Sequence, residues 1–382
     1  MLLYTGVYPV PRNPFLERKG LISKNFTAIY SWFKFVWHEE KMKHLRFLFV
    51  ISLFITLLCL TSCGDGNGKP SEGLDFASYR DGTCYIVSVG ECKDKNVVIP
   101  TYSPAGDKVI AIGDYAFAKC DKIKSVTIPE GIERIGQWAF ENCKSLTKIS
   151  VPNSCTDIGL HAFNFGRNSK YNFVEENNAY YIGNEQNPFH ALVKATDYTV
   201  TNCEINEMTR VICNNAFGAC HYMLNIHIPD NVEVIGEYAF GGKLETVIFG
   251  ANSNLKVVKE GAFDKCNIKS ITLPRGVTTI PRSLFNSCKE LTNVVFKGEI
   301  TAIEADAFIE CDKLTSFTVP STVTSISKYT FVGCDALTEV IFEDPNGWYA
   351  NGEAVIGLED PSVAADCLTN TGIHAYSDWI KY

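Results

Sequence analysis

Cysteine and histidine are the residues of this sequence with the widest chemistry, as metal ligands, nucleophiles or redox pairs. The chain of 382 residues has 15 cysteines and seven histidines. No two cysteines form a Cys-x-x-Cys pair, and the sequence has no His-Glu-x-x-His, Gly-x-Ser-x-Gly or EF-hand pattern. The histidines are scattered and the carboxylates are isolated, so no nucleophile, base and orienting group come together. We therefore predict no enzymatic activity, no metal site and no cofactor.

Seven of the cysteines occupy one position of a repeated unit, whose clearest copy runs from Ile135 to Pro152. A column of identical residues in stacked repeats points inward, so we predict small, buried, reduced thiols. Export would permit disulfides, and a Cys84–Cys92 bond stays open because these two cysteines flank a predicted hairpin. The column consists of Cys120, Cys143, Cys220, Cys266, Cys288, Cys311 and Cys334.

The repeated unit has the pattern Ile-Gly-x-x-Ala-Phe-x-x-Cys-x-x-Leu-x-x-Ile-x-Val-Pro. Successive copies of its Phe are 22 or 23 residues apart, except at one step of 54 residues. A fixed period of this length predicts a solenoid, in which each coil packs on its neighbours. We expect a curved, right-handed repeat solenoid with one short parallel β-strand and one short helical turn per coil. The Phe column is Phe117, Phe140, Phe163, Phe217, Phe240, Phe263, Phe285, Phe308 and Phe331.

The strand half of each coil alternates inward and outward residues, and the outward ones in the clearest copy are Lys148 and Ser150. In other copies these two columns are rich in Thr and Ser and become aliphatic at Ile248, Val295 and Ile341. Stacked strands predict a continuous concave face that binds a partner, although β-branched residues also suit exposed strands for purely structural reasons. The candidate ligand-binding residues are Lys148, Ser150, Asn225, His227, Thr246, Ile248, Thr272, Asn293, Val295, Thr318 and Ile341.

Three regions depart from the period. Residues 74–104 hold two β-branched runs, which predict an N-terminal capping hairpin. The solenoid spans residues 105–342, with an insertion at 164–210 that we expect to hold a degenerate coil and an excursion. That excursion is either a structural turn or a functional loop. Residues 343–382 are expected to form the C-terminal cap.

Aromatic residues supply two further candidate sites. In the C-terminal cap, Trp348 or Tyr349 could stack on a carbohydrate, whereas the alternative is that both anchor the cap. A column two residues before the Phe contains Tyr115, Trp138 and Tyr238, but polar or small residues interrupt it. We expect these aromatic side chains to pack at the corners of the coils.

The N-terminal sequence predicts export. Residues 42–62 have a basic start, an apolar run of about 14 residues and small residues at the end, as a signal peptide does. The segment ends in Leu-Thr-Ser before Cys63 and resembles a bacterial lipobox, which implies cleavage before Cys63 and acylation of its thiol. An uncleaved signal-anchor helix is the alternative. Residues 63–73 are expected to be a flexible tether, and residues 1–41 upstream sequence from a mis-called start.

Composition excludes one class of partner. The formal net charge is -8, and no block of Lys and Arg forms a basic surface, so we predict no nucleic-acid binding. A hydrophobic content of 46% with 20% charged residues is typical of a folded chain.

From about Asp81 to Tyr382 the sequence resembles the BspA-like leucine-rich repeat family of bacterial surface proteins. The resemblance is carried by Ile-Gly-x-x-Ala-Phe-x-x-Cys-x-x-Leu in successive copies, as at Ile112–Ile123 and Ile303–Leu314. The segments Cys92–Pro100 and Glu176–Tyr181 are also similar to that family. The resemblance implies a leucine-rich-repeat solenoid displayed outside the cell and associated with adhesion to host proteins or other cells.

The combined expectation is a non-enzymatic binding module, anchored to the bacterial outer membrane by lipid at Cys63 and displayed on the cell surface. Its partner would be a host or bacterial surface protein that docks on the concave face. The alternative is a carbohydrate-binding component of a surface glycan-uptake system, using aromatic residues of the insertion or of the C-terminal cap.

Overall fold

The computed structural model describes residues 69–369 and 374–382, so the predicted signal peptide and Cys63 lie outside the described residues. The described part of the chain winds into about 11 coils with a spacing of about 23 residues. The predicted solenoid is therefore confirmed. Each regular coil contributes two strands, one long and one short, so two sets of parallel strands run along the solenoid.

The long strands come from the Leu-x-x-Ile-x-Val half of each unit, whose alternating side chains leave one face buried and one exposed. They pair in parallel with the equivalent residues of a neighbouring coil, as Val126 does with Ile149. The long strands are Asn96–Val98, Ser125–Thr127, Lys148–Ser150, Asn225–Ile228, Thr246–Phe249, Ser270–Leu273, Asn293–Phe296, Ser316–Val319 and Glu339–Phe342.

The short strands end at the first position of the repeat unit, which is Ile or Val, and the sequence pattern did not predict them. Where a Gly follows, neighbouring coils approach closely, because a Cβ on Gly136 would lie 2.5 Å from the backbone of Gly113. The first of these strands has five residues and the others have two. They are Lys108–Ile112, Arg134–Ile135, Asp157–Ile158, Val211–Ile212, Val234–Ile235, Val257–Val258, Thr279–Ile280, Ala302–Ile303 and Ser325–Ile326.

The predicted helical turn of each coil is replaced by a series of tight turns. Two residues before the Phe the backbone is left-handed, with φ of 58° at Tyr115, 56° at Trp138 and 60° at Asn215. A left-handed residue cannot continue a right-handed helix, so the chain turns at this point. The described residues contain one α-helix, Pro361–Leu368, which lies in the C-terminal cap.

The Phe and Cys columns form the core, as predicted. From Phe217 to Phe331 the rings stack with centroid separations of 5.4–6.0 Å. The thiol of Cys288 donates to the carbonyl of Phe263 in the preceding coil, with 3.1 Å between sulfur and oxygen. All cysteines of the described part are free, and no Cys84–Cys92 disulfide joins those two residues.

The N-terminal cap is a hairpin, but its pairing differs from the prediction. Thr83–Ser88 pairs antiparallel with Asp75–Ser78, and on its other side it pairs parallel with Lys108–Ile112. Asn96–Val98, which we expected in the hairpin, pairs with Ser125–Thr127 and is the first long strand.

The insertion contains a hairpin and a strand that joins the solenoid. Val174–Glu176 and Ala179–Ile182 form a hairpin. Ala191–Ala195 pairs antiparallel with the second strand of that hairpin and parallel with Val211–Ile212, so it takes the place of a short strand in the solenoid. The buried core divides into two clusters that meet at this insertion.

The C-terminal cap covers the last coil. Trp379–Lys381 pairs antiparallel with Ser325–Ile326 and with Trp348–Ala350, which also pairs with Glu353–Ala354. Its buried apolar side chains include those of Trp348, Leu368 and Trp379. The cap thus shields the apolar end of the solenoid from water.

Candidate functional site

The long-strand face is the outward surface of the long strands, and it carries the residues proposed from sequence. From Asn225 to Ile341 its outward side chains are exposed, except that of Thr246, which is half-buried. The three aliphatic residues predicted to face outward do so, since Ile248 is 55% exposed and Val295 and Ile341 are each 44% exposed. Covering this apolar surface with a partner would be favourable in water.

The strand register sets which outward residues are neighbours. His227 lies opposite Ile248, Thr272 opposite Val295, and Thr318 opposite Ile341. Each aliphatic side chain therefore has a polar partner across the strand pair. The aliphatic residues alternate with polar ones along the face instead of forming one unbroken patch.

The predicted continuous sheet is wrong, because the long strands beyond the insertion hydrogen-bond only in pairs. Within a pair, the residue after the second strand donates back to the first strand, as Lys297 N–H does to the carbonyl of Leu273 at 3.1 Å. At the two breaks the equivalent residues are Pro274 and Pro320, which have no N–H to donate. The missing bond contributes to each break.

A groove lies at each break, and the two grooves differ in charge. The first, between the strands of Thr246 and Thr272, has a volume of about 730 Å³ and is lined by Ile248 and the cations Arg275 and Lys297. We call it the basic groove.

The second groove lies between the strands of Val295 and Thr318. It has a volume of about 400 Å³ and is lined by Val295 and the carboxylates of Glu299 and Glu343. We call it the acidic groove. Both grooves thus combine one exposed aliphatic side chain with charged groups of one sign.

Two of the proposed residues stand apart from the others. The strand of Lys148 and Ser150 belongs to the N-terminal sheet, whose next neighbour is the insertion, where Val151 N–H donates to the carbonyl of Gly183 at 2.9 Å. Lys148 forms an exposed ion pair with Glu185 of the insertion at 3.2 Å. The structure therefore separates Lys148 and Ser150 from the face that begins at Asn225.

The two aromatic residues proposed as a carbohydrate-stacking site differ in exposure. Trp348 is only 1% exposed, packs against Phe342 and Trp379, and donates its indole N–H to the carbonyl of Asp344 at 3.1 Å. The prediction that Trp348 could stack on a carbohydrate is wrong, because its ring belongs to the core of the cap. Tyr349 is partly exposed and lies against Tyr382.

The aromatic column before the Phe lies at the coil corners, as expected. Tyr115 stacks on Trp138 with 6.4 Å between ring centroids, and Trp138 contacts His161 at 4.4 Å. The Tyr238 hydroxyl donates to the Glu260 carboxylate at 2.9 Å. Burial and this carboxylate raise the pKa of Tyr238 to about 12, so its hydroxyl stays protonated.

Sequence reasoning missed the charged residues that line the two grooves. Arg275, Lys297, Glu299 and Glu343 all lie just beyond the ends of long strands, where the pattern Ile-x-Val-Pro has stopped. The signal available was their position, since residues that follow adjacent parallel strands meet at one edge. Within residues 69–369 and 374–382, no group of three or more His, Cys, Asp or Glu side chains is placed to hold a metal ion.

The arrangement of coils agrees with one family of repeat proteins. The model of the BspA-type leucine-rich repeat region, with six copies of the repeat, matches residues 91–209 and 210–338. These ranges cover more than half of the chain. The chain belongs to the BspA-type leucine-rich-repeat family. No curated protein matches it.

Solved structures of leucine-rich-repeat proteins are similar to this BspA-type chain. A leucine-rich cell surface protein from Faecalibacterium prausnitzii is 22% identical, with a TM-score of 0.31 and coverage of 72% of this chain and 76% of that one. A leucine-rich-repeat protein from Eubacterium ventriosum is 19% identical, with a TM-score of 0.34 and coverage of 77% and 94%. At such scores the likeness carries no argument about function.

Length and hydropathy of the helices bear on membrane insertion. Among the described residues, no helix is both long and apolar enough to cross a membrane.

Proposed function

We propose that this BspA-type protein is an exported, non-catalytic recognition module that binds a protein partner through the long-strand face. The observation that carries the proposal is the exposure of Ile248 and Val295, each at a groove lined with charged groups of one sign. Burying exposed aliphatic side chains against a partner is favourable by about 25 cal/mol for each Å² of apolar surface removed from water.

The charges of the two grooves specify the kind of surface that fits them. A partner would place an acidic group near Arg275 and Lys297, and a basic group near Glu299 and Glu343. Complementary charges of this kind chiefly set orientation and association rate, whereas the central apolar contacts supply the affinity. The partner would therefore bind in one register along the face.

Export and surface display are part of the proposal. The signal-like segment at residues 42–62 and the lipobox-like ending at Cys63 support them. Protease treatment of intact cells tests the location. Digestion of residues 74–382 without lysis is expected, and full protection of the chain would place it inside the envelope.

A pair of double variants tests the binding face. Ile248→Asp with Val295→Asp should weaken binding to cell-surface and matrix proteins by about tenfold or more, because each carboxylate would be desolvated in the interface. Val257→Asp with Ile356→Asp is the matched control, since these aliphatic residues are also exposed but lie off the long-strand face. Far-UV circular dichroism should be unchanged in both. Equal binding by the two double variants would refute the assignment of this face.

A further inference from the structure

The stack of Phe rings is interrupted once within the solenoid, at Ala195. The N–H of Ala195 donates to the carbonyl of Ala216 at 2.9 Å, which is the bond that Phe217 N–H makes to the carbonyl of Ala239 at 2.7 Å in the next coil. Ala195 thus occupies the place of the repeat Phe. Since it has only a methyl group, the volume of a ring is missing between the coils of Phe163 and Phe217.

A cleft opens at this place, and we call it the Ala195 cleft. Its volume is about 520 Å³, and Ala195 lies in its wall with Phe163 and Ala216. An apolar cavity of about 150 Å³ is enough to hold benzene, so the cleft is too large to be only the space left by one ring. Its size lies in the range of small-molecule sites.

Main-chain donors in the cleft wall lack their usual acceptors. In the preceding coil, Trp138 N–H donates to the carbonyl of Leu160 and Phe140 N–H to that of Ala162, both at 2.9 Å. The equivalent donors one coil later are the N–H groups of His161 and Phe163. No acceptor for either is found among residues 69–369 and 374–382. Both residues line the cleft, so these N–H groups can bind an acceptor on a ligand.

Side chains around the cleft add further polar groups. Asn164 and Asn215 line it, are exposed, and have no side-chain hydrogen bond within the described ranges. Lys194 also lines it, with its ammonium 5.8 Å from the centroid of the Tyr180 ring. The one carboxylate in the lining, Asp197, accepts the N–H of Thr199 at 2.7 Å, and this bond lowers the pKa of Asp197 and keeps it ionised. The lining therefore combines several hydrogen-bond donors with one positive charge at Lys194 and one negative charge at Asp197.

The charge of Lys194 acts within the cleft. Burial lowers the pKa of His161, and the nearby Lys194 ammonium lowers it further, while Glu141 opposes both. His161 is thus neutral at pH 7, and Lys194 is the cation available to a ligand. An aromatic face is present as well, because the ring of Tyr198 lines the cleft and is 68% exposed.

We propose that the Ala195 cleft binds an acidic sugar residue, such as a hexuronate at the end of a glycan. The carboxylate binds Lys194 and the N–H groups of His161 and Phe163. The ring hydroxyls bind Asn164 and Asn215, and the apolar side of the sugar ring covers Tyr198. A sugar acid matches this set because it joins one carboxylate to several hydroxyls on a rigid ring, whereas an acidic peptide offers carboxylates with few hydroxyls.

The cleft is independent of the protein-binding face, since the two share no lining residue. The Ile248→Asp and Val295→Asp variant should therefore bind the sugar acid as the wild type does. Failure of one proposal leaves the other open to its own experiment.

Calorimetric titration of the full chain with digalacturonic acid tests the proposal. Lys194→Gln should weaken binding by about tenfold or more, because a charge-assisted hydrogen bond is lost. Lys122→Gln is the matched control, as Lys122 is an exposed lysine outside the cleft, and it should leave the affinity unchanged. Ala195→Phe should abolish binding by filling the cleft. If that variant fails to fold, Lys194→Gln still decides the question.

Titrations with three other compounds test specificity: neutral galactobiose, acetate and triglutamate. Each should bind at least about tenfold more weakly than digalacturonic acid, and an NMR titration should show the pKa of His161 rising when the sugar acid binds. Equal binding of galactobiose would overturn the role of the charge. Equal binding of acetate or triglutamate would overturn recognition of a sugar ring, and no binding of digalacturonic acid would overturn the proposal.

Discussion

Two stretches of this solenoid are built from the same unit. They differ in how completely their core positions are filled and their hydrogen-bonding groups are paired within the protein. From Phe217 to Phe331 each ring stacks on the next, and the thiols of Cys288, Cys311 and Cys334 donate to carbonyls of the preceding coil. At the interrupted stretch, residues 164–210, the ring is missing. Around this stretch, the main-chain N–H groups of His161 and Phe163 and the side-chain amides of Asn164 and Asn215 have no hydrogen-bond partner among the described residues.

The difference shows where such a protein has groups to offer a ligand. A coil that repeats its neighbour uses its backbone and core side chains on that neighbour, which leaves only the outward strand residues. Where the repeat fails at Ala195, a cleft and unmet main-chain groups appear. Grooves also lie at the breaks in strand pairing beside Pro274 and Pro320. Binding capacity therefore concentrates where the pairing between coils is interrupted.

The largest expected effect concerns the regular stretch. Phe240→Ala should lower the free energy of unfolding by about 3–5 kcal/mol, because its buried ring lies between those of Phe217 and Phe263. Phe163→Ala should cost about half as much, since one side of Phe163 already faces the Ala195 cleft. Urea unfolding followed by circular dichroism measures both.

Phe240→Ala and Phe163→Ala each remove one aromatic ring from the core, so each variant is a control for the other. Equal losses of unfolding free energy would mean that the interruption does not relax the packing around Phe163. The contrast between a complete stack and an open end would then be wrong in energetic terms.

A smaller effect is expected along the thiol column. Cys288→Ala should destabilise the fold by about 1–2 kcal/mol, because it removes a buried sulfur and its bond to the carbonyl of Phe263. Burial raises the pKa of Cys288 to about 12, so this thiol is also protected from alkylation. Cys120→Ala is the control. Its thiol is partly exposed and donates within its own coil, to the carbonyl of nearby Ala118, so a smaller loss of about 0.5 kcal/mol is expected.

Thermal and urea unfolding of the two cysteine variants provide the measurement. A similar loss for Cys120→Ala would show that the thiols act through their volume alone. The bonds between coils would then contribute little.

The period was predictable from sequence because it depends on residue identity at fixed spacing. Phe, Cys and Ile recur in register. This recurrence predicted the coils, the core columns and the outward exposure of Ile248 and Val295. The short strands were not predictable, because two residues are too few to show an alternating pattern. The left-handed corner was obscured as well, since Tyr115 and Trp138 occupy a position that Asn and Gly favour.

The Ala195 cleft required the three-dimensional register. Phe217 follows Ile212 by five positions, but Ala195 follows the equivalent Leu192 by only three. An alignment by spacing alone misses this correspondence, which becomes visible only when the backbone hydrogen bonds are compared. The breaks in the long-strand sheet also required the structure. It shows that the residue after one strand donates to the preceding strand, and that Pro274 and Pro320 cannot make this bond.

The smallest expected effect is the pH dependence contributed by His190, a fully buried residue of the interrupted stretch. Its Nε2–H donates to the carbonyl of Cys155 at 2.7 Å, and its Nδ1 has no partner among the described residues. Burial lowers the pKa of His190 and Arg210 lowers it further, while the Cys155 carbonyl, Glu130 and Glu233 act in the opposite direction.

Above the unfolded pKa of about 6.5, His190 is neutral in both states and stability does not depend on its titration. Below that pH the unfolded chain takes up a proton that the folded protein does not, so the free energy of unfolding falls with falling pH. His190→Gln keeps a donor for Cys155 but does not titrate. Its urea midpoint should therefore fall less than that of the wild type between pH 7 and pH 5. The exposed His227→Gln should follow the wild type; a His190→Gln slope equal to that of the wild type would show that the buried imidazole is protonated without loss of the fold.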